Sequence, residues 1–244
     1  MISNTVCITY NNPTHERFQN EFENLYKDNF TFYHGYKKDW LEKTMFYQSN
    51  PQMFKHEKYG GYFLWKPYCI SVALRSFYCE KVLYCDSNLR FLHFPKFEEL
   101  FNDQMATEGI FLIKHKNYIN KDWTKRDAFV LMDADYKEYW GAHQVWSVIL
   151  GFSESKRRLL DDYLFYCRNP QIVTDMPNMA GQGDNLPGFK EHRWEQSVIS
   201  ILAERYGVKG IWDVDVLDII TKVYDDELYT YKKQIAKKEM KWNT

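Results

Sequence analysis

The chain has 244 residues and a formal net charge of -1, so it lacks the excess of positive charge that a general nucleic-acid-binding protein carries. Its length suits one large α/β domain, which we expect to span residues 1–244. Aromatic residues make up 18% of the chain, enough for a large core and for grooves that stack the rings of bases or sugars. We therefore expect a small polar or anionic ligand and no nucleic-acid partner.

The cysteines favour a reducing compartment. The chain has 5 of them, an odd number, and they form no CxxC pair, so neither a disulfide framework nor a zinc site is indicated. The first residues, MISNTVCITYNN, show no basic region before a long apolar core, and no apolar run is long enough to cross a membrane. From the sequence we expect a cytoplasmic protein.

The first elements alternate between strand and helix. TVCITY at 5–10 predicts a strand, and the spacing of Phe18, Phe22 and Tyr26 predicts a helix after it. FTFYHGY at 30–36 predicts a second strand. The polar and aromatic segment 37–59 is expected to be helical in parts.

A further helix leads into the third predicted strand, KVLYCD at 81–86. Pro67 suits the first turn of this helix, and Ile70, Leu74 and Phe77 mark its predicted buried stripe.

The second half of the chain continues the mixed pattern. Further strands are predicted at GIFLIKH (109–115), DAFVLMDAD (127–135) and AHQVWSVILGF (142–152), and helices at ESKRRLLDDYLFYC (154–167) and KEHRWEQSVISILAERYG (190–207). The segment 174–189, rich in Gly, Pro, Asn and Asp, predicts a functional or mobile loop. The order of elements predicts an α/β fold with a mostly parallel sheet flanked by helices, in which ligands bind at the carboxyl ends of the strands.

Asp86 stands at such a strand end, followed by Ser87 and Asn88. A carboxylate that ends an apolar strand must face solvent, a cation or a ligand, because burying it unpaired is very costly. It therefore either caps a turn or holds a ligand. Asp133 and Asp135 form a second acidic pair that could hold a hard cation through oxygen ligands.

Glu195 shares a helical stripe with Val198, Ile199 and Leu202, so it should point inward near the start of its helix. There it is either a capping-type carboxylate or a group that accepts hydrogen bonds from a sugar. Lys66 lies at the amino end of its own helix, where a cation is unfavourable unless an anion is near. It is either a solvated lysine or a ligand of a diphosphate.

His192 and Arg193 precede the last helix and follow the long loop. An imidazole there could bind a divalent cation and a guanidinium could bind a phosphate, although a lone histidine is often structural.

Two stretches, in this order, resemble small glycosyltransferases of the GT-A type, the kind found in polysaccharide-synthesis clusters and large DNA viruses. They are GGYFLWKPYCISVALRSFYCEKVLYCDSN (60–88) and HRWEQSVISILAERYG (192–207), with WTKRDAFVLM (123–132) between them. The likeness runs from the first strand to about Val208. Trp194 departs from it by replacing a His, and Glu195 stands where relatives usually carry Asp.

The resemblance implies a Rossmann-like sheet, a nucleotide-sugar donor and a glycan or lipid-linked acceptor for polysaccharide biosynthesis. It makes Glu195 with Gln196 the catalytic candidates. The implied donor-binding residues are Lys66, Asp86, Ser87, Asn88, Lys125, Arg126, Asp127 and Arg193, with Thr124 beside them.

The resemblance also implies a divalent cation, usually manganese or magnesium, at the acidic motif. Its candidate ligands are Asp86, Asn88 and His192. Asn88 departs from the Asp-any-Asp pattern, and because an amide brings no charge, weaker or water-mediated metal binding is expected.

Other interpretations stay open. A nucleotidyltransferase can use a similar sheet, although TYNNPTHERF offers no Gly-rich phosphate loop after the first strand. A non-catalytic carbohydrate-binding or scaffold relative is a second alternative, favoured by Asn88 and Trp194. The basic segment from about 226 is expected to be a solvated helix or tail, with peripheral contact to an anionic membrane surface as the alternative.

Overall fold

A computed structural model describes residues 1–11 and 13–223. Its strands are β1 (Ile2–Asn11), β2 (Phe30–Lys37), β3 (Lys81–Cys85), β4 (Leu89–Phe91), β5 (Ile110–Phe111), β6 (Ile113–Ile119), β7 (His143–Val145), β8 (Ile149–Ser153), β9 (Ile211–Trp212) and β10 (Ile220–Lys222). Its helical segments are α1 (Glu16–Tyr26), α2 (Lys38–Glu42), α3 (Met45–Gln48), α4 (Pro51–Phe54), α5 (Tyr59–Tyr62), α6 (Trp65–Ser76), α7 (Phe94–Glu108), α8 (Asn120–Trp123), α9 (Arg126–Leu131), α10 (Lys137–Gly141), α11 (Arg157–Cys167), α12 (Pro170–Val173) and α13 (Glu195–Arg205). The predicted basic segment from about 226 lies outside the described residues.

The central sheet is mixed, and its longest strands are parallel. Within the described residues its strand order is β2-β1-β3-β8-β5. β1 pairs in parallel with β2 on one side and with β3 on the other, whereas β8 runs antiparallel to both β3 and β5. The strands that follow β1 in the chain, β2 and β3, thus lie on opposite sides of it. Such a switch point, here between β1 and β3, leaves a crevice at the carboxyl ends of the strands.

Helices cover both faces of this sheet. Along β3, Val82 and Tyr84 belong to one buried apolar cluster, and Leu83 and Cys85 belong to another on the opposite face. The first cluster includes residues of α6, α11 and α13, and the second includes residues of α1 and α7. A strand buried on both faces needs apolar residues at successive positions, as in 82–85 of β3. The helices on both faces confirm the predicted α/β class with a helix-flanked sheet.

Two smaller sheets complete the described part of the chain. β10 pairs antiparallel with β4, which places Lys222 opposite Leu89, directly after the turn that follows β3. β6 pairs antiparallel with β7 and in parallel with β9. The end of the described chain is thereby brought back beside Asp86.

The predicted strand at 127–135 is wrong, since this segment contains helix α9. Ala128, Phe129 and Met132 are buried there at helical spacing. A short apolar run does not distinguish a strand from a buried helix by its period alone.

Two other predicted strands are each divided. The predicted strand at 109–115 is divided at Leu112 into β5 and β6, and the predicted strand at 142–152 is divided at 146–148 into β7 and β8. Phe77 is the residue after the last of α6 and is half-buried, so it extends the predicted stripe of that helix only in part.

No helix in the ranges 1–11 and 13–223 has both the length and the apolar character needed to cross a bilayer.

Candidate functional site

A cavity of about 710 Å³ opens at the carboxyl ends of β1, β2 and β3. Its walls include Tyr10 and Asn11 at the end of β1, Lys38 after β2, and Asp86, Ser87 and Asn88 after β3. The volume lies within the range of small-molecule and cofactor pockets, and the position is the crevice at the switch point of the sheet. The chain thus places a cavity of ligand size where this class of sheet binds ligands.

Aromatic rings form much of the remaining wall. Tyr47, Phe54, Tyr59, Phe63 and Trp65 all line the cavity. Trp65 stacks on Tyr10, with ring centroids 3.9 Å apart and an interplanar angle of 19°. Such flat apolar faces suit the rings of a base or a sugar.

The rim of the cavity contains a left-handed turn. Tyr59, Gly60, Gly61, Tyr62 and Phe63 all have positive φ, between 51° and 84°. Residues with a side chain visit this region as single residues, at a cost of about 1–2 kcal/mol each. Gly60 and Gly61 adopt it without this cost, but Tyr59, Tyr62 and Phe63 store strain that the surrounding contacts must offset, and such strain concentrates at functional sites.

Trp194 connects this turn to the start of α13. Its indole Nε1 donates to Asp175 Oδ1 over 2.9 Å, and Asp175 Oδ2 accepts from Lys58 Nζ over 2.7 Å and from the Tyr62 hydroxyl over 3.3 Å. The indole ring also lies 4.7 Å from the ring of Tyr59. The Trp194 that replaces a His in the resemblance thus stabilises the rim of the cavity.

Asp86 lines the cavity and lies between two lysines. Its Oδ2 accepts from Lys222 Nζ over 2.9 Å, and its Oδ1 accepts from the Tyr84 hydroxyl over 2.6 Å and lies 3.8 Å from Lys66 Nζ. Burial would raise the pKa of Asp86, but the charges of Lys222 and Lys66 and the hydrogen bonds to Tyr84 and Lys222 hold that pKa below its usual value. Asp86 is therefore a paired carboxylate anion at neutral pH.

Behind Asp86, Lys66 joins the two carboxylates that the sequence singled out. Its ammonium donates to Glu195 Oε1 over 2.7 Å and to the Ser147 carbonyl over 3.0 Å. The Ser147 hydroxyl donates to the same Glu195 oxygen over 2.8 Å. Both Lys66 and Glu195 are buried, and neither is among the residues that line the cavity. Lys66 thus meets a carboxylate of its own chain where the sequence suggested a diphosphate.

The predicted donor-binding element at 124–127 holds the long loop in this structure. Asp127 accepts from the backbone N–H groups of Met179 and Ala180 over 2.6 and 3.1 Å, and Lys125 Nζ donates to the Met176 carbonyl over 3.0 Å. Arg126 pairs with Asp135 at 2.8 Å. The Thr124 hydroxyl accepts from Gln144. These side chains do not line the cavity, because they are turned towards the loop and the protein interior.

The acidic pair 133/135 does not form a shared site. Asp135 is neutralised by Arg126 and also accepts from Trp140 Nε1, whereas Asp133 is exposed. In this geometry a cation at the pair would have to compete with Arg126 for Asp135.

His192 is a structural residue here. Its ring Nε2 bonds the Ile172 carbonyl over 2.9 Å, and Nδ1 accepts from the Lys125 backbone N–H over 3.3 Å. Burial first, and the nearby charge of Lys125 second, lower the pKa of His192 to about 3, so the ring is neutral at physiological pH. Both ring nitrogens are used within the chain, which leaves His192 unsuited to the predicted role of a metal ligand.

Gln196 and Arg193 also lie away from the cavity walls. The Gln196 amide donates to Gln144 over 3.1 Å. Arg193 pairs with Glu191 at 3.0 Å and lies over the ring of Trp123. Their contacts stabilise the start of α13 and its neighbours.

The residues present do not fit a resident divalent cation. Asp86 is the single acidic ligand of the predicted set, and cationic Lys222 already bonds one of its oxygens. Asn88 brings no charge, and His192 has no ring nitrogen to offer. Within the described ranges, no group of three or more His, Cys, Asp or Glu side chains is placed to hold a metal ion. Hard cations prefer several anionic oxygens, whereas the described groups at Asp86 pair each carboxylate with a lysine.

Several residues that line the cavity are not among the candidates predicted from the sequence. Tyr10 and Asn11 carry a usable signal, because they end a strand next to the one that ends at Asp86. Lys222 carries none, since it lies 136 residues beyond Asp86 and reaches it only through the pairing of β10 with β4.

We expect Asp127→Ala to loosen the loop at 174–189. The substitution leaves two backbone N–H groups without their anionic acceptor, and hydrogen bonds to charged groups contribute about 1.5–3 kcal/mol each. Amide hydrogen exchange at 176–180 should accelerate, while Asp161→Ala on the exposed face of α11 should leave it unchanged. Unchanged exchange in the Asp127 variant would show that the carboxylate does not anchor this loop.

No family model matches the chain, and a search of curated proteins finds no match.

Proposed function

We propose that the chain is a GT-A type glycosyltransferase that moves a sugar from a nucleotide-diphosphate donor to a hydroxyl acceptor. The observation that carries the proposal is the cavity between the ends of β1 and β3, which combines Asp86 and Lys222 with a wall of aromatic rings. Aromatic faces suit a base and a sugar, and a lysine suits a diphosphate. The resemblance of 60–88 and 192–207 to this class of transferase supports the same conclusion.

The reaction is a displacement at the anomeric carbon. The acceptor oxygen forms a bond to that carbon while the bond to the diphosphate breaks, and the electron pair leaves with the diphosphate. Positive charge aimed at the leaving group lowers the barrier, because negative charge develops there in the transition state. Lys222 is the cation best placed for this task among the residues that line the cavity near Asp86.

The proton of the acceptor hydroxyl needs a base in contact with the cavity. Glu57 and Asp86 are the carboxylates among the described lining residues, and because Asp86 already bonds Lys222 and Tyr84, we assign the proton to Glu57. Glu195, the catalytic candidate from the resemblance, bonds Lys66 and Ser147 and acts in this geometry as a positioning residue for Lys66. Gln196 holds Gln144 and takes no part in the reaction as we propose it.

Donor hydrolysis tests the proposal. Purified protein is incubated with a panel of nucleotide sugars without acceptor, and the release of free sugar and nucleoside diphosphate is followed by chromatography. Many transferases release sugar to water slowly, so we expect turnover of one donor class and a rise in melting temperature with the corresponding nucleoside diphosphate. Hydrolysis and stabilisation that are absent across the whole panel would contradict the proposal.

A carbohydrate-binding protein without transferase activity is the second candidate. It is favoured by the engagement of Asp86 and Glu195 by lysines and by the aromatic cavity wall. Such a protein would be stabilised by a sugar or nucleotide sugar and would leave every donor intact. A nucleotidyltransferase would instead release pyrophosphate from a nucleoside triphosphate, which the same panel detects when triphosphates are included.

A further inference from the structure

Among the described residues, four charged groups at Asp86 form a connected set. Two carboxylates, Asp86 and Glu195, alternate with two ammonium groups, Lys222 and Lys66, in one connected chain. The consecutive N–O distances are 2.9 Å from Lys222 to Asp86, 3.8 Å from Asp86 to Lys66 and 2.7 Å from Lys66 to Glu195. A site that binds a divalent cation needs an excess of negative charge, and these four described groups carry equal numbers of positive and negative charges.

The two lysines differ in their access to the cavity. Lys66 is held in the interior by three acceptors, Glu195 Oε1, the Ser147 carbonyl and the Ser147 hydroxyl. Lys222 has a side chain that is 22% exposed, and it lines the cavity. Its ammonium group is therefore within reach of an anion in the cavity while it bonds Asp86. Lys222 therefore stands beside the strand-end carboxylate, where the resemblance implies a metal ion.

The fold fixes Lys222 in that position. β10 pairs with β4, and the backbone N–H of Val223 bonds the carbonyl of Asn88 over 2.9 Å. The turn between β3 and β4 is itself held by the buried Arg90, whose Nη1 donates to the carbonyls of Ser87 and Leu89 over 2.8 and 2.7 Å. The positions of Asp86 and Lys222 are thus fixed by hydrogen bonds to the backbone close to each of them.

We propose that Lys222, backed by Lys66, replaces the divalent cation and that the chain binds the diphosphate of its donor without metal. This inference rests on the proposed function. Asp86 then orients Lys222 and does not ligate a metal. Lys222 bonds the diphosphate oxygens directly and stabilises the charge of the leaving group.

Calorimetric titration with nucleoside diphosphates tests the inference on the full chain. A panel of UDP, GDP, ADP and dTDP is titrated in the presence of EDTA and again with Mn²⁺. For the nucleotide that binds, we expect dissociation constants that agree within about twofold in the two conditions. We also expect no saturable binding of Mn²⁺ alone.

Three variants separate the role of Lys222 from its contribution to folding. Lys222→Gln should weaken binding of the nucleoside diphosphate by about 10- to 100-fold, which is the loss of one hydrogen bond to a charged group. Lys222→Arg should retain most of the affinity, because it keeps the charge. Lys209→Gln, at an exposed position, should bind like the wild type. Thermal melts of each variant confirm that it is folded before titration.

The outcomes are distinct. Binding by the wild-type chain that requires Mn²⁺ would overturn the metal-free inference and leave the proposed function standing. Unchanged affinity in Lys222→Gln would also overturn it, because the diphosphate would then depend on other groups. Absence of nucleotide binding in both conditions would overturn the inference together with the proposed function.

Discussion

Replacing Lys66 by methionine is expected to lower the free energy of unfolding by about 3–5 kcal/mol, the usual loss when one partner of a buried ion pair is removed. The substitution leaves Glu195 as a buried carboxylate with the Ser147 hydroxyl as its hydrogen-bond donor, and it removes one of the two cations beside Asp86. Methionine is close to lysine in length, so little of the loss should come from a cavity. Urea unfolding followed by circular dichroism measures the difference.

A second substitution in the same pair distinguishes charge from packing. Adding Glu195→Gln to Lys66→Met removes the buried charge that the first change leaves unpaired, so the double variant should recover a large part of the stability. An exposed pair provides the matched control. Lys58 and Asp175 are also 2.7 Å apart, but their side chains are 42% and 45% exposed, so Lys58→Met should cost about 1 kcal/mol or less. Equal losses for Lys66→Met and Lys58→Met would contradict a stabilising role for the buried pair.

Local sequence signals predicted the elements that build the central sheet. The helix with Phe18, Phe22 and Tyr26 on one stripe lies at α1, and the strands at 5–10 and 30–36 lie within β1 and β2. In these segments the apolar period and the turn residues agree with the tertiary environment. Local pattern is sufficient where both point to the same element.

The same signals failed where tertiary contacts decide the element. The run DAFVLM has no clear period and its apolar residues predict a strand, but Asp127 to Leu131 lie in α9, and Asp127 in the first turn of that helix holds the loop at 174–189. The run GIFLIKH is divided between two sheets at Leu112, whose carbonyl accepts from the Ile211 backbone N–H. Contacts between residues this far apart in the chain produce no pattern in the local sequence.

The candidate site shows a similar division. The end of an apolar strand identified Asp86, and helical spacing identified an inward Glu195. The partners of both carboxylates were not predictable, because Lys66 and Lys222 reach them across 129 and 136 residues of chain. The helix-dipole argument for Lys66 correctly required an anion, and the anion is a carboxylate of the same chain.

Acid is expected to destabilise the fold through His192. Its pKa is lowered to about 3, against an ordinary value near 6.5, chiefly by burial. Between pH 6.5 and 3 the unfolded chain binds this proton and the folded chain does not, so stability falls as the pH is lowered through that window. With about 1.36 kcal/mol for each pKa unit, the loss attributable to this ring reaches about 5 kcal/mol. Protonation would also remove the acceptor that Nδ1 offers to the Lys125 backbone N–H.

The variant His192→Gln isolates this contribution from that of the acidic residues. A glutamine amide can donate to the Ile172 carbonyl and accept from the Lys125 N–H, and it does not titrate. The free energy of unfolding is measured by urea at pH 7.5 and at pH 4 for both proteins. We expect the difference between the two pH values to be several kcal/mol smaller in His192→Gln, whereas His15→Gln, at an exposed position, should behave like the wild type. If the wild type and His192→Gln lost equal stability on acidification, protonation of His192 would not be a cause of the acid destabilisation.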